Sequence, residues 1–235
     1  LGYLSRNKKE FKSRLKDVME LAKEALVIKR KVLELFTEKG LYPYSRFYLR
    51  DVKQRTNKYW SNHFSTIGLV GMNEACINLL EQDISTKDGL SFTVETLLFM
   101  REMLEKFSKE TGDLYNLEAT PAESCSYSLA KKDKQKFPDI YCSGKEDVVF
   151  YTNSTNLPVD FTDDIVYTVK HQTVIQPLYT GGTVLHVYLG EEIEASAAKT
   201  FVKKVFENYT LPYLTITPTF SVCFDHGYLK GKQET

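Results

Sequence analysis

The 235-residue chain carries 42% hydrophobic and 26% charged residues, which fits one ordinary globular domain or two small ones and excludes disorder, collagen and a simple coiled coil. Its 31 Lys and Arg balance 31 Asp and Glu, so no overall positive field exists to hold a nucleic-acid backbone or an anionic membrane. No apolar run approaches the ~20 residues that span a bilayer, and residues 1–6 lack the pattern of a secretory signal. A cytoplasmic protein is expected, with Cys76, Cys125, Cys142 and Cys223 too widely spaced for a disulfide framework.

In chain order, Phe11, Leu15, Val18, Ala22, Ala25, Val32 and Phe36 recur at helical spacing and predict one long amphipathic helix over 11–36, stopped at Gly40 and barred from resuming by Pro43. A helix of that length should flank something larger. A second helix is predicted from Gly68 or Val70 to Leu80. A third is predicted over 93–109, capped by Ser91 or Thr93, stopped by Gly112, and burying Leu97, Met100, Leu104 and Phe107. Residues 114–119 read as a short strand that breaks at Thr120-Pro121 into another helix, with Pro121 at its first position. Further strands are predicted at 148–151, 174–179, 183–189 and 213–217, with a helix over 193–209 before the last. Helices between short apolar strands indicate an α/β fold with a largely parallel sheet, although 174–189 could form a hairpin around Gly181-Gly182. The lysine-rich stretch 131–136 reads as a solvated helix end.

Three segments carry chemistry. The strand-to-helix turn at 120–124 exposes backbone N–H groups backed by a helix dipole, with hydroxyls on Thr120 and Ser124; it is either an anion site, phosphate being the natural ligand, or a plain helix cap. Glu118, at the carboxyl end of the same strand, is a candidate general base. Cys223 and His226 stand on one tight turn as half of a zinc knuckle, or are not ligands at all, since no further Cys follows them. Thr152, Asn153 and Ser154 end a strand and suit either a sugar hydroxyl or a turn.

Taken in order, residues 1–6 (LGYLSR), 64–75 (FSTIGLVGMNEA), 117–124 (LEATPAES), 151–154 (YTNS), 180–186 (TGGTVLH), 217–223 (TPTFSVC) and 226–229 (HGYL) resemble the later part of the anaerobic, class III ribonucleotide reductases, which are glycyl-radical enzymes. The resemblance implies roughly the second half of a ten-stranded α/β barrel over residues 1–216, and the start of a C-terminal zinc-binding and glycyl-radical region over 217–235. It implies reduction of ribonucleoside triphosphates to deoxyribonucleoside triphosphates. Thr120, Ala122, Glu123 and Ser124 would hold the substrate's phosphates, Glu118 would act as acid or base, and Thr152, Asn153 and Ser154 would contact substrate. Cys223 and His226 would bind a structural zinc completed by two ligands beyond Thr235. The family's glycyl radical is generated by a 4Fe-4S, S-adenosylmethionine-dependent activase, and its thiyl-forming cysteine loop lies upstream of the part matching Leu1, so Cys76, Cys125 and Cys142 are not assigned that role. A homodimer is implied for the complete protein, and the isolated chain is expected to be inactive. Phe224, where the family usually has Pro, departs from the zinc pattern. The rival reading is a non-enzymatic nucleotide-binding or interaction domain, a split or decayed homologue.

Overall fold

A computed structural model describes residues 1–145, 148–189, 193–217, 220–223 and 227–230. The first helix, α1 (Lys8–Glu38), is capped by Asn7, whose side chain accepts from the Glu10 N–H, and ends at Gly40 with φ +79°. Pro43 does not simply block the chain: it opens α2 (Pro43–Tyr48), because its fixed φ suits a first helical position, and α3 (Arg50–Thr56) follows directly. The inward stripe of α1 is Phe11, Leu15, Met19 and Arg30, whereas Val18, Val32 and Phe36 of the predicted stripe are exposed.

The next segment departs from expectation at its start. Residues Phe64–Leu69 form strand β1, and the helix α4 (Met72–Leu80) begins only after Gly71, whose φ of +76° makes the sharp turn between them. Ile67 alternates with exposed neighbours, a period of two that a helical reading of the glycine-containing run misses. Helix α5 (Lys87–Thr111) starts earlier than its hydrophobic stripe suggests. Its cap is Thr86, accepting from the Gly89 N–H, and Gly89 lies in the first turn because a Cβ there would stand 2.1 Å from the Asp83 carbonyl oxygen. Leu97, Met100, Leu104 and Phe107 are buried as expected, and Gly112 terminates the helix with positive φ.

Strand β2 (Leu114–Ala119) pairs in parallel with β1 from Phe64↔Leu114 to Leu69↔Ala119. It leads to α6 (Glu123–Lys136), whose end is the lysine-rich stretch. A short antiparallel pair, β3 (Ser143–Lys145) and β4 (Val148–Phe150), packs on α6. The predicted strand at 174–179 is instead the end of helix α7 (Ile165–Ile175) and a 3-10 turn. Asp164 caps α7 by accepting from the Val166 and Tyr167 N–H groups, and of the run's apolar residues Ile175 and Tyr179 are buried whereas Val174 faces outward, the period of a helix end. There is therefore no 174–189 hairpin. Strand β5 (Leu185–Tyr188), helix α8 (Ala195–Asn208) and strand β6 (Leu214–Thr217) follow, β5 and β6 being parallel, and β7 (Phe220–Cys223) pairs with β8 (Gly227–Lys230) as an antiparallel hairpin.

One apolar core joins α1, α4, α5, β1 and β2 around Phe11, Met72, Phe92, Phe107 and Leu117; a smaller one joins α7, β5, α8 and β6 around Val169, Leu185, Val187 and Val205. Helix α7 reaches both, through Val169 in one and Ile175 in the other. No helix among the described residues is long and apolar enough to cross a membrane.

Candidate functional site

The carboxyl ends of β1, β2 and β4 come together. On β2 the side chains alternate, Tyr115 and Leu117 being buried, so Asn116, Glu118 and Thr120 share the opposite face. Gly68 of β1 stands opposite Glu118, and a Cβ there would lie 2.0 Å from the Thr120 hydroxyl oxygen; only glycine lets Thr120 fold back over β1.

The far edge of β2 is occupied by residues 180–182. The N–H groups of Thr180 and Gly181 donate to the Leu117 carbonyl, the Ala119 N–H donates to the Gly182 carbonyl, and the Leu117 N–H donates to the Thr180 hydroxyl. Gly181-Gly182 thus serves close approach to β2. A Cβ on Gly181 would stand 3.0 Å from the Leu117 carbonyl oxygen, and one on Gly182 would stand 3.7 Å from a Glu118 carboxylate oxygen. Glu118 itself is half-buried and makes no side-chain hydrogen bond among the described residues, and the Asn116 Oδ1 beside it is buried without a partner.

The turn after β2 differs in detail from expectation. Pro121 precedes the cap rather than occupying the first helical position; the cap is Ala122, left-handed at φ 58°, followed by Glu123 at φ 30°. Among the described residues no side chain caps this helix, so the plain side-chain cap that residues 120–124 also allowed is not formed. The first backbone bonds of α6 come from the Cys125 and Ser126 N–H groups to the Ala122 carbonyl, ahead of which the turn presents Glu123 and the exposed Ser124.

Thr152 and Ser154 lie beside this turn but are turned inward. Glu74, 1% exposed at the start of α4, accepts from the Thr152 N–H (3.0 Å), the Thr152 hydroxyl (2.6 Å) and the Ser143 hydroxyl (2.5 Å). Ser154 and Thr155 share hydrogen bonds with the Tyr179 hydroxyl, whose pKa burial pushes up to about 12. Asn153, half-buried between them, is the member of the trio whose side chain is not tied into this scaffold. Sequence reasoning overlooked Glu74 and Ser126; their signal was position alone, within or just beyond the motifs 64–75 and 117–124.

Cys223 ends β7 where the hairpin turns, paired with Gly227 in the register. His226 lies outside the described residues, and among those described no three His, Cys, Asp or Glu side chains stand together as a metal site. Cys76 is fully buried, with burial raising its thiol pKa to about 11, and has a packing role against Gly89 and Thr93.

Parallel strand pairs linked by helices, the first with a carboxylate and a helix start at its carboxyl end, define an α/β chain of the class that gathers its ligand sites at strand ends. The family model for anaerobic ribonucleoside-triphosphate reductase matches residues 1–235, and the chain belongs to that family. It is 27% identical over 124 residues to the anaerobic ribonucleoside-triphosphate reductase of Enterobacteria phage T4, covering 53% of this chain and 19% of the relative. It is 25% identical over 168 residues to that of Haemophilus influenzae, covering 69% and 23% respectively. Crystal structures of the anaerobic ribonucleotide reductase from Thermotoga maritima share the fold: the complex with dATP and CTP has TM-score 0.76 at 23% identity, and the form with MES in the active site has 0.74 at 24%, each covering 95% of this chain and 36% of that one. The matched stretches span about a fifth of the length of these curated relatives.

Proposed function

We propose that this chain supplies the phosphate-docking and ribose-facing side of an oxidoreductase that reduces ribonucleoside triphosphates to deoxyribonucleoside triphosphates. The observation that carries the reading is the uncapped first turn of α6 set beside an unbonded Glu118 at the ends of parallel strands. A helix N-terminus attracts anionic oxygen through its free N–H groups and its dipole, and Thr120 and Ser124 add hydroxyl donors. Two consecutive non-glycine residues at positive φ, Ala122 and Glu123, are the kind of strain that functional turns retain. With the phosphates held there, Glu118 faces the sugar and accepts or returns a proton at a ribose hydroxyl. Asn153 supplies a further polar contact; Thr152 and Ser154 shape the rim. The complex of the Thermotoga enzyme with dATP and CTP supports a nucleotide as the ligand class.

The glycyl radical that the resemblance implies, with its 4Fe-4S, S-adenosylmethionine activase, would supply hydrogen-atom abstraction from the ribose by way of the family's thiyl-forming cysteine. The residues present here bind, orient and move protons. Residues 217–235 begin the zinc-binding region in this reading, with Cys223 and His226 as two ligands of a structural zinc, and the complete enzyme is a homodimer.

The test is calorimetric titration of the chain with CTP. Removing both hydroxyls in a Thr120→Ala/Ser124→Ala variant is expected to weaken binding by about 1–3 kcal/mol, one ordinary net hydrogen bond each. Equal affinities would reduce the turn to a plain helix start. In the complete enzyme Glu118→Gln is expected to lower turnover while leaving CTP affinity within about threefold.

A further inference from the structure

We propose that Ser126 is a positioning residue that holds the phosphate-binding turn in register with the strand end beside it; this rests on the phosphate reading given above. Ser126 lies one turn into α6 and is 4% exposed. Its hydroxyl oxygen accepts from the Tyr151 N–H at 3.0 Å and donates to the Tyr151 carbonyl at 2.6 Å, so one side chain satisfies both backbone groups of one residue in the neighbouring segment. Such a bridge fixes the helix start against Tyr151 along two directions, which a single hydrogen bond does not do.

Tyr151 is itself immobilised. Its phenol donates to Asp133 on α6 at 2.7 Å, and its side chain lies against Gly71, where an added Cβ would stand 3.1 Å from the Tyr151 Cβ. The residue that follows, Thr152, is held by the buried Glu74, and its carbonyl accepts from the Gly71 N–H at 2.8 Å. Ser126 therefore connects the α6 terminus to a segment anchored on α4. Among the described residues no side chain caps α6, and its turn carries two strained residues, Ala122 and Glu123, that must be held from elsewhere. The Ser126 bridge is the contact from within the first turn that does so. Losing it frees the terminus to shift, and donors a fraction of an ångström out of place bind anionic oxygen poorly.

The experiment titrates the 235-residue chain and its Ser126→Ala, Ser126→Cys and Ser126→Thr variants with CTP and with inorganic tripolyphosphate, and follows amide exchange at residues 123–126 and at 128–134 without ligand. Ser126→Ala is expected to weaken both probes about tenfold, with exchange rising in the first turn and not along the rest of α6. Ser126→Thr, which keeps the hydroxyl, should stay within about threefold of the natural chain, and Ser126→Cys should fall between. Unchanged affinity in Ser126→Ala, or exchange rising equally throughout α6, overturns the positioning role. If Ser126→Ala does not fold, the ranking of the Cys and Thr variants decides in its place. Absence of binding by the natural chain would overturn the phosphate reading instead, and the exchange pattern would still decide whether Ser126 holds the turn.

Discussion

Ala122 carries backbone strain that its own side chain creates. In the left-handed region an L-residue with a Cβ costs about 1–2 kcal/mol, and glycine does not. Ala122→Gly is therefore expected to stabilise the chain by about 0.5–1 kcal/mol net of the extra freedom of the unfolded state, measured by urea unfolding. A loss would mean that the turn does not hold this conformation in solution. Glu74 behaves in the opposite sense. Truncating it to Ala removes the acceptor shared by the Ser143 hydroxyl, the Thr152 N–H and the Thr152 hydroxyl; one of the two hydroxyls, 3.3 Å apart, can turn to the other, which leaves two buried donors without an acceptor at about 1 kcal/mol or more each, so a loss of about 2–3 kcal/mol in unfolding free energy is expected. A residue readable only as a helical carboxylate in a motif thus organises the rim of the site from behind.

Helix α7 is tied to the α4–α5 connection by its buried histidine, with the Tyr167 hydroxyl donating to the Ser85 carbonyl at the surface. The His171 Nε2–H donates to the Ile84 carbonyl at 2.9 Å, and its Nδ1 accepts from the Gln172 amide at 3.1 Å, a pattern that requires the neutral ring. Burial lowers the His171 pKa, against smaller raising effects from the Ile84 bond and from Asp83. Because the folded pKa lies below the unfolded one, the unfolded chain takes up a proton first as pH falls. Stability contributed here is full above about pH 6.5 and declines below it. Unfolding free energy measured from about pH 7.5 down to about pH 5.5 should fall more steeply in the natural chain than in His171→Gln, and equal slopes would exclude His171 as the origin. The same helix shows why 174–179 misleads as a sequence. Its β-branched and aromatic residues suit a buried helix end as well as a strand, and the Asp164 cap lies ten residues upstream of the run.

Across the whole molecule, α1 has two apolar faces. One packs on α5; the other, Val18, Leu21, Ala25, Ile28, Val32 and Leu35, is spaced alternately by three and four residues and is exposed. That spacing is the seam of helix-on-helix packing, and so large an exposed apolar stripe marks a contact surface. The chain is expected to associate with rising concentration in sedimentation velocity. Leu21→Lys/Ile28→Lys should abolish that association while changing unfolding free energy by no more than about 0.5 kcal/mol, since both residues are exposed here. Sedimentation independent of concentration in the natural chain would mean that the stripe does not drive self-contact.

Local chemistry was sufficient for much of this protein. Strand β2, the buried stripe of α5, the stop at Gly112, helix α8 and the α/β character follow from periodicity and from residues with special backbone preferences, and the ordered motifs were enough to indicate the family. Glu118 and the turn at 120–124 were legible because a strand breaking at Thr-Pro into a helix is a local event. Tertiary structure decided what local rules leave degenerate. It placed Gly181-Gly182 against β2 as a close backbone approach where sequence allowed a hairpin, and made Phe64–Leu69 a strand by pairing it with Leu114–Ala119. It also turned the Thr152 and Ser154 hydroxyls inward to Glu74 and Tyr179. The physical reason is the same in each case: a hydrogen-bonding group, or a glycine without a Cβ, is satisfied by a neighbour distant in the chain, and one-dimensional spacing does not specify which neighbour folding will bring.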